Sequence, residues 1–188
     1  MSAALRRGMT IDAFLEWETR QEQRWEFDGF EPVAMVGGTA GHSAIQRNLI
    51  TALTIRLRGR PCQVHTSDLK ILAASSVRYP DAFVVCSPIP RAATLVTDPV
   101  VVFEILSPST ASTDLLVKNR EYRDTPSIQR YVLLEQDRPG GLDFCRIRDQ
   151  WFGRVLDADA ILDMPELGIA VPVAEFYDGI SFEDAAAG

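Results

Sequence analysis

The clearest periodic pattern in the chain is an apolar stripe between Ser43 and Arg58. Its members recur at every fourth residue, and they are Ile45, Leu49, Leu53 and Leu57. Residues four apart lie on one face of an α-helix, and Gly59 follows as a stop signal. The pattern therefore predicts a helix from about Ser43 to Arg58 that packs one face on a sheet.

Short apolar segments separated by turn signals predict strands in most of the remaining chain. Trp25 to Met35 alternates apolar and polar residues around Asp28-Gly29, which is typical of a hairpin. Further strands are predicted at residues 64–72, 81–86, 100–106, 130–134, 142–147 and 151–156. The nearly continuous apolar content of 100–106 indicates a strand covered on both faces, and the last two segments are expected to be antiparallel edge strands.

Two further helices complete the prediction. One follows Thr10, a suitable N-cap, and the other spans Asp114 to Tyr122, with Leu115 and Leu116 expected to be buried. The order of helices and strands predicts an α/β fold with a mixed sheet. We expect an N-terminal tail at 1–8, a single domain at 9–180 and a C-terminal tail at 181–188.

Composition limits the classes of protein that this chain can be. Its 188 residues suit one domain, and no apolar run approaches the about 18 residues that a membrane span requires, so no membrane contact is expected. The charged segment from Ile11 to Arg24 argues against a secretory signal peptide. A net charge of −7 excludes binding to nucleic acid through bulk charge, so DNA binding would need a local basic face, a metal ion or both.

The three cysteines are widely spaced and form no CxxC pair. This usage predicts a reducing compartment, and hence the cytoplasm, and it argues against a zinc knuckle. Cys86 follows an apolar stretch and is expected to be a small buried hydrophobic residue.

Two acids and a lysine lie where packing alone would favour other residues. Asp81 opens an apolar strand after Pro80, Glu104 lies inside the apolar segment 100–106, and Lys118 is on the helix that follows. A buried glutamate needs a partner, and two carboxylates on neighbouring strands would suit Mg²⁺. The alternative is that Asp81 caps a turn and Glu104 pairs with an arginine, and the spacing does not decide between the two.

Three blocks of the sequence resemble the signature blocks of the Uma2 (DUF820) family. They span residues 79–86, 102–110 and 114–122, and the run Glu-Ile-Leu-Ser-Pro-Ser-Thr that begins at Glu104 is the most specific. Residues 25–29 and 41–42 resemble the upstream blocks. The spacing agrees, with 23 residues from Asp81 to Glu104 and 14 from Glu104 to Lys118. The resemblance covers roughly residues 9 to 180.

This resemblance implies a restriction-endonuclease-like core of the PD-(D/E)XK type. The expected fold is a mixed β-sheet flanked by helices, with an additional antiparallel hairpin. Asp81 and Glu104 would bind Mg²⁺ or Mn²⁺, and the backbone carbonyl of Ile105 would be a further ligand. A lysine would orient the attacking water and stabilise charge on a DNA phosphate.

The position of the lysine departs from the simple motif. Leu106 stands where the motif places lysine, and the Uma2 resemblance suggests that the role has moved to Lys118. Lys70, on the predicted strand 64–72, is a rival candidate.

Other polar residues are weaker candidates. Glu26 is the expected third acid of the site, or else a solvated strand residue. His42 would contact a phosphate or cap a helix, and Arg120 and Arg123 would contact the DNA backbone or simply solvate their helix.

Two functions remain open from the sequence. The first is a Mg²⁺-dependent endonuclease that hydrolyses DNA. The alternative is a catalytically inactive nuclease-fold protein that serves as a binding or assembly module, which the acidic charge and Leu106 favour. A homodimer is expected for the endonuclease.

Overall fold

The computed structural model describes residues 8–35, 37–107 and 111–182. In chain order its elements are α1 (Ile11–Glu18), β1 (Trp25–Phe27), β2 (Pro32–Ala34), α2 (Ala40–Leu57), β3 (Gln63–Thr66), β4 (Lys70–Ala73), β5 (Ser76–Arg78), β6 (Ala82–Val85), β7 (Leu95–Val96), β8 (Val101–Leu106), a π-helical turn (Thr113–Lys118), α3 (Asn119–Asp124), β9 (Arg130–Glu135), β10 (Gly141–Ile147), β11 (Gln150–Leu156), β12 (Ile161–Met164), β13 (Ile169–Pro172) and a 3₁₀ helix (Val173–Tyr177).

A six-stranded mixed sheet forms the centre of the molecule. Its strand order is β11-β10-β9-β8-β6-β3, in which β8 and β9 are parallel and the other neighbours are antiparallel. A second sheet has the order β2-β1-β5-β4-β7, and β12 and β13 form a separate hairpin. The predicted mixed α/β fold with an added hairpin at Trp25 to Met35 is therefore confirmed.

Helix α2 covers one face of the central sheet with its apolar stripe. The four residues predicted from the period are all buried: Ile45, Leu49, Leu53 and Leu57. They pack against inward residues of the sheet such as Phe103 and Val132. Burying each side chain of this size stabilises the fold by about 1.5–3 kcal/mol. Thr39 caps the helix, because its Oγ1 accepts a hydrogen bond of 3.2 Å from the N–H of His42.

The opposite face of the central sheet is covered by α3 and by the second sheet. Phe83, Val102 and Leu133 point to this side and pack with Ile71 of β4 and Tyr122 of α3. Strand β8 is therefore buried on both faces, as its apolar run predicts.

The segment predicted as one strand at 64–72 is two strands in different sheets. The N–H of Leu69 donates to the carbonyl of Thr66 at 3.2 Å, which turns the chain between β3 and β4. β3 pairs with β6 in the central sheet, whereas β4 pairs with β5 and β7 in the second. Periodicity of two continues through a tight turn, so the pattern cannot show where a strand changes sheet.

The expected burial of Leu115 and Leu116 is wrong. Leu116 is 72% exposed, whereas Asp114 and Lys118 on the same turn are buried. The inward side of this helical segment is polar because it faces the carboxylates described below.

The expectation that Cys86 is a small buried hydrophobic residue is also wrong. A disulfide joins Cys62 to Cys86, and Cys145 is free. β3 and β6 pair Gln63 with Val85, so Cys62 and Cys86 are the next residues facing each other across the strand ends. Cys86 is thus a cross-strand partner and is only partly buried. Sequence spacing does not reveal strand register, which is what brings the two together.

Of the predicted tails, 1–8 and 181–188, only Gly8, Ser181 and Phe182 lie within the described residues. Among the helices of the described ranges, none has both the length and the apolar character needed to cross a bilayer.

Candidate active site

Asp81 and Glu104 are neighbours on the central sheet. β6 and β8 pair Ala82 with Phe103, so the next residues along the two strands are Asp81 and Glu104. The two carboxylates therefore lie at the same end of this strand pair, and the charge of Asp81 acts on Glu104.

The side chain and the carbonyl of Asp81 are held from two directions. Its Oδ2 accepts a hydrogen bond of 2.7 Å from the backbone N–H of Ile105 and lies 3.1 Å from Nε2 of His42. Nε2 of Gln46 donates to the backbone carbonyl of Asp81 at 2.8 Å. Side chains from the first turns of α2 therefore hold Asp81 in place just before β6. The hydrogen bond to Asp81 raises the pKa of His42 despite the opposing effect of burial.

Glu104 is buried and bound by two donors from the following helix. Its Oε1 accepts from Nζ of Lys118 at 2.9 Å and from the hydroxyl of Tyr122 at 2.8 Å. Burial raises the pKa of Glu104 to about 8; Lys118 opposes this rise, and the charge of Asp81 adds to it. The strand that carries Glu104 is otherwise apolar. The hydrogen bonds from Lys118 and Tyr122 explain how a glutamate is accommodated there.

Lys118 ends the π-helical turn and lies among three carboxylates. Its Nζ is 2.9 Å from Glu104, 3.1 Å from Asp114 and 3.6 Å from Glu26. The turn is wide because the N–H of Asn119 donates to the carbonyl of Asp114, five residues back. Burial alone would lower the pKa of Lys118, but the three carboxylates hold it well above its usual range. The ammonium is therefore charged at neutral pH.

Glu26 belongs to this cluster, but its oxygens already have donors. Oε1 accepts from the backbone N–H of Tyr79 at 3.1 Å, and Oε2 accepts from Arg78 at 3.0 Å. Arg78 is 2% exposed, and it also makes two bonds of 2.7 Å to Glu121. Glu26 therefore lies beside Lys118, and its oxygens accept hydrogen bonds from Arg78 and Tyr79. It is not the solvated strand residue that the sequence also allowed.

Lys70 lies in a different cluster. Its Nζ is 2.6 Å from Oε2 of Glu18, whose Oε1 accepts from the hydroxyl of Tyr79 at 2.7 Å. Lys118, and not Lys70, is the lysine that contacts Glu104.

Arg120 and Arg123 lie on the outer side of α3. Arg120 is exposed and faces Asp124 at 3.7 Å, and Arg123 lies with its guanidinium 5.8 Å from the ring centre of Trp151. Neither is among the groups that contact Asp81 or Glu104.

Comparison with known proteins places the chain in a family. A family model described as "Putative restriction endonuclease", Uma2, matches residues 11–160. The chain belongs to the Uma2 family. An uncharacterized protein of Synechocystis sp. is 33% identical over 93% of this chain and 94% of its own length. A second from the same organism is 28% identical over 72% of this chain and 80% of its length.

A solved structure shares the fold of this Uma2 protein. It is described as a "putative nuclease belonging to DUF820" from Anabaena variabilis, and it superposes with a TM-score of 0.73. The match covers 90% of this chain and 97% of the other, at 22% identity. This likeness confirms the mixed α/β fold that the sequence predicts, and the chain shares it with a DUF820 protein.

Three residues of the Uma2 site were not predicted from the sequence: Asp114, Tyr122 and Arg78. Asp114, Lys118 and Tyr122 are four residues apart, so they form one helical stripe that a search for polar periodicity would have found. Arg78 gives a weaker signal, since a charged residue beside Tyr79-Pro80 is equally consistent with an exposed turn.

The donor set suits a divalent metal ion with few protein ligands. Among the described residues, no group of three or more histidines, cysteines, aspartates or glutamates converges as a ready-made metal site. Mg²⁺ commonly takes one or two carboxylates and completes its shell with water and substrate oxygens, and Asp81 and Glu104 supply such a pair.

Proposed function

We propose that this Uma2 protein is a metal-dependent endonuclease that hydrolyses phosphodiester bonds of DNA. One observation carries the proposal: two carboxylates are neighbours at the end of adjacent strands, and a buried lysine contacts one of them. The family's description as a restriction endonuclease and the neighbour's description as a nuclease support the same chemistry.

Asp81 and Glu104 are the proposed ligands of Mg²⁺ or Mn²⁺, and the carbonyl of Ile105 remains a proposed further ligand. When bound, the ion would supply Lewis-acid stabilisation of the phosphate and would lower the pKa of a bound water. The N–H of Ile105 and the ring of His42 fix the orientation of Asp81, so this ligand needs little reorganisation.

Lys118 contributes positive charge to the proposed reaction and does not act as a base. The three surrounding carboxylates keep it protonated, so it cannot accept a proton from water at neutral pH. Its contact with Glu104 holds that ligand in place, and its charge favours negative charge that develops on the phosphate. Glu26 and Asp114 are then positioning residues for Lys118.

DNA is the proposed substrate, although the whole chain carries a net charge of −7. Bulk attraction to phosphate is weak for such a protein, so the bound metal ion and a few local cations must provide it. Arg120 and Arg123 are exposed and available for this role, whereas His42 is engaged with Asp81 and would act through that carboxylate.

We also propose that the protein works as a homodimer, which would present two sites to a duplex. A cytoplasmic location stays a prediction, and the disulfide between Cys62 and Cys86 removes the cysteine argument that favoured it.

The test is cleavage of a panel of single-stranded, linear duplex and supercoiled DNA with Mg²⁺, Mn²⁺ or EDTA. We expect cleavage that requires the metal and that is lost in Asp81→Asn, a variant that keeps the size of the side chain but weakens metal ligation. Asp68→Asn is the matched control, because Asp68 is an exposed acid whose carboxylate pairs with Arg24. A parent protein that cleaves no DNA while binding the metal would instead support the inactive binding module.

A further inference from the structure

The edge strand β11 is long and lacks the usual protection of a sheet edge. It has seven residues, whereas the other edges of the two larger sheets are short: β3 has four residues, β2 has three including Pro32, and β7 has two. Exposed edges invite pairing with another chain, so natural proteins shorten them or place proline and lysine there. β11 contains neither proline nor lysine, and Phe152 and Val155 are 49% and 77% exposed.

The turn before β11 fixes which backbone groups point outward. Arg148 and Asp149 have φ of 48° and 64°, as in a type I′ turn, and Ile147 pairs with Gln150 across it. In such a two-residue hairpin the closing pair exchanges both hydrogen bonds, and every second pair does the same. The N–H and C=O groups of Trp151, Gly153 and Val155 therefore point away from β10. No hydrogen bond between described residues occupies these outward groups.

The outward groups of β11 are complementary to those of a second copy of the same strand. If two copies lie antiparallel about a two-fold axis at Gly153, Trp151 of each copy lies opposite Val155 of the other, and all outward groups find partners. Trp151 and Val155 then form an aromatic and β-branched pair on one face, a favourable cross-strand combination.

The other face of the strand is complementary under the same register. Phe152 of each copy lies opposite Arg154 of the other, so the ring can pack beside the aliphatic part of the arginine side chain. The guanidinium of Arg154 stays within its own chain, because Nε is 2.8 Å from Oδ2 of Asp143 on β10 and Nη2 donates to the carbonyl of Ile161 at 3.3 Å. Within β11 itself, from Gln150 to Leu156, no like charges meet in this pairing.

We propose that β11 is the interface with a second copy of this chain, and that two six-stranded sheets join there into one continuous sheet. The partner is a second copy because the hydrogen-bonding groups and the side-chain pairs match themselves about one axis. An unrelated peptide strand would not require this self-match. The inference does not depend on DNA cleavage, since it concerns the opposite end of the strand order from β6.

The decisive comparison is light scattering of the parent, Val155→Pro and Val155→Thr. Proline removes an outward N–H at an edge position, where it costs no hydrogen bond to β10, and threonine keeps that N–H and the branched shape. We expect the parent and Val155→Thr at about twice the chain mass of 20.9 kDa. For Val155→Pro we expect a dimer dissociation constant raised on the order of 10-fold or more, because the change acts at two symmetric positions. A monomeric parent at micromolar concentration, or an unchanged dimer in a folded Val155→Pro, overturns the proposal.

Hydrogen exchange of the parent is a second test of the interface, and it needs no variant. We expect the amides of Trp151, Gly153 and Val155 to be protected at high protein concentration and to lose protection on dilution. The amides of Phe152 and Arg154 bond to β10 and should be protected at all concentrations. Fast exchange of the first three amides in the concentrated protein overturns the proposal, even if Val155→Pro fails to fold.

Discussion

Three buried carboxyl groups surround the ammonium of Lys118. The ammonium faces Glu104, Asp114 and Glu26, all of which are themselves nearly inaccessible to water. Removing several charges from water is costly, so a protein that keeps them together without using them would gain stability by replacing them with apolar residues. This cost is consistent with a functional site.

Replacing Lys118 by methionine should reduce DNA cleavage on the order of 100-fold, because a charge that favours the transition state is lost. Lys70→Met is the matched control. Both lysines are about equally buried in a pair with a glutamate, so the two variants should lose similar stability, of about 3–5 kcal/mol. The measurement is the cleavage rate at a temperature at which both variants remain folded by circular dichroism. Equal loss of activity in the two variants would contradict the role of Lys118.

The raised pKa of Glu104 predicts how stability depends on pH. In the folded protein Glu104 keeps its proton up to about pH 8, whereas the unfolded chain releases it near the ordinary value of 4.5. Between these values the unfolded state binds fewer protons, so raising the pH favours unfolding. The contribution of Glu104 to stability is present below pH 4.5 and is lost as the pH rises to about 8.

Glu104→Gln isolates this contribution, since its amide oxygen can still accept from Lys118 and Tyr122. We expect the unfolding free energy of the metal-free parent, minus that of the variant, to fall from pH 4.5 to 8 and then level off. Urea unfolding across this range measures it. A difference that rises with pH would show that Lys118 dominates and that Glu104 is ionised.

At the residue scale, the sequence predicted the site where polar residues break an apolar pattern. Asp81 and Glu104 are charged residues in otherwise apolar segments, so they could be identified from the sequence. Tyr122 and Arg78 escaped because a tyrosine in a helix, or an arginine beside a turn, fits ordinary packing as well as a hydrogen bond to a buried acid. The inward direction of Asp114 was missed because Leu115 and Leu116 provided a more conventional apolar side.

At the scale of elements, long periodic segments were predicted well. The point at which the chain passes from one sheet to another was not predicted. α2 and the strands of the central sheet follow their patterns closely, since each buries a continuous apolar face. The short strands β5 and β7 have too few residues to show a period. The π-helical turn depends on the packing of Asp114 and Lys118 against the sheet, which local sequence does not specify.

Reduction of the Cys62–Cys86 disulfide should destabilise the protein. The bond closes a loop over a sequence separation of 24 residues, for which chain entropy gives a contribution of about 3 kcal/mol. Urea unfolding with and without a reductant measures the loss. The double variant Cys62→Ser, Cys86→Ser should show no effect of reductant, and it separates this bond from Cys145. Three free thiols in the unreduced, unfolded parent would contradict the disulfide.

At the scale of the whole molecule, binding of the metal ion should stabilise the fold of an acidic protein that concentrates carboxylates at one place. A ligand at 100 times its dissociation constant adds about 2.7 kcal/mol to the unfolding free energy. We expect Mg²⁺ to raise the melting temperature of the parent but to leave that of Asp81→Asn nearly unchanged. An equal rise in both proteins would indicate nonspecific screening of the net charge of −7.

The most direct test of the proposed active site is the anomalous scattering of a crystal soaked with Mn²⁺. The account predicts a Mn²⁺ peak bound by the carboxylates of both Asp81 and Glu104, with Lys118 still in contact with Glu104. A peak bound by other residues, or a fully soaked crystal with no peak at this pair, would contradict it.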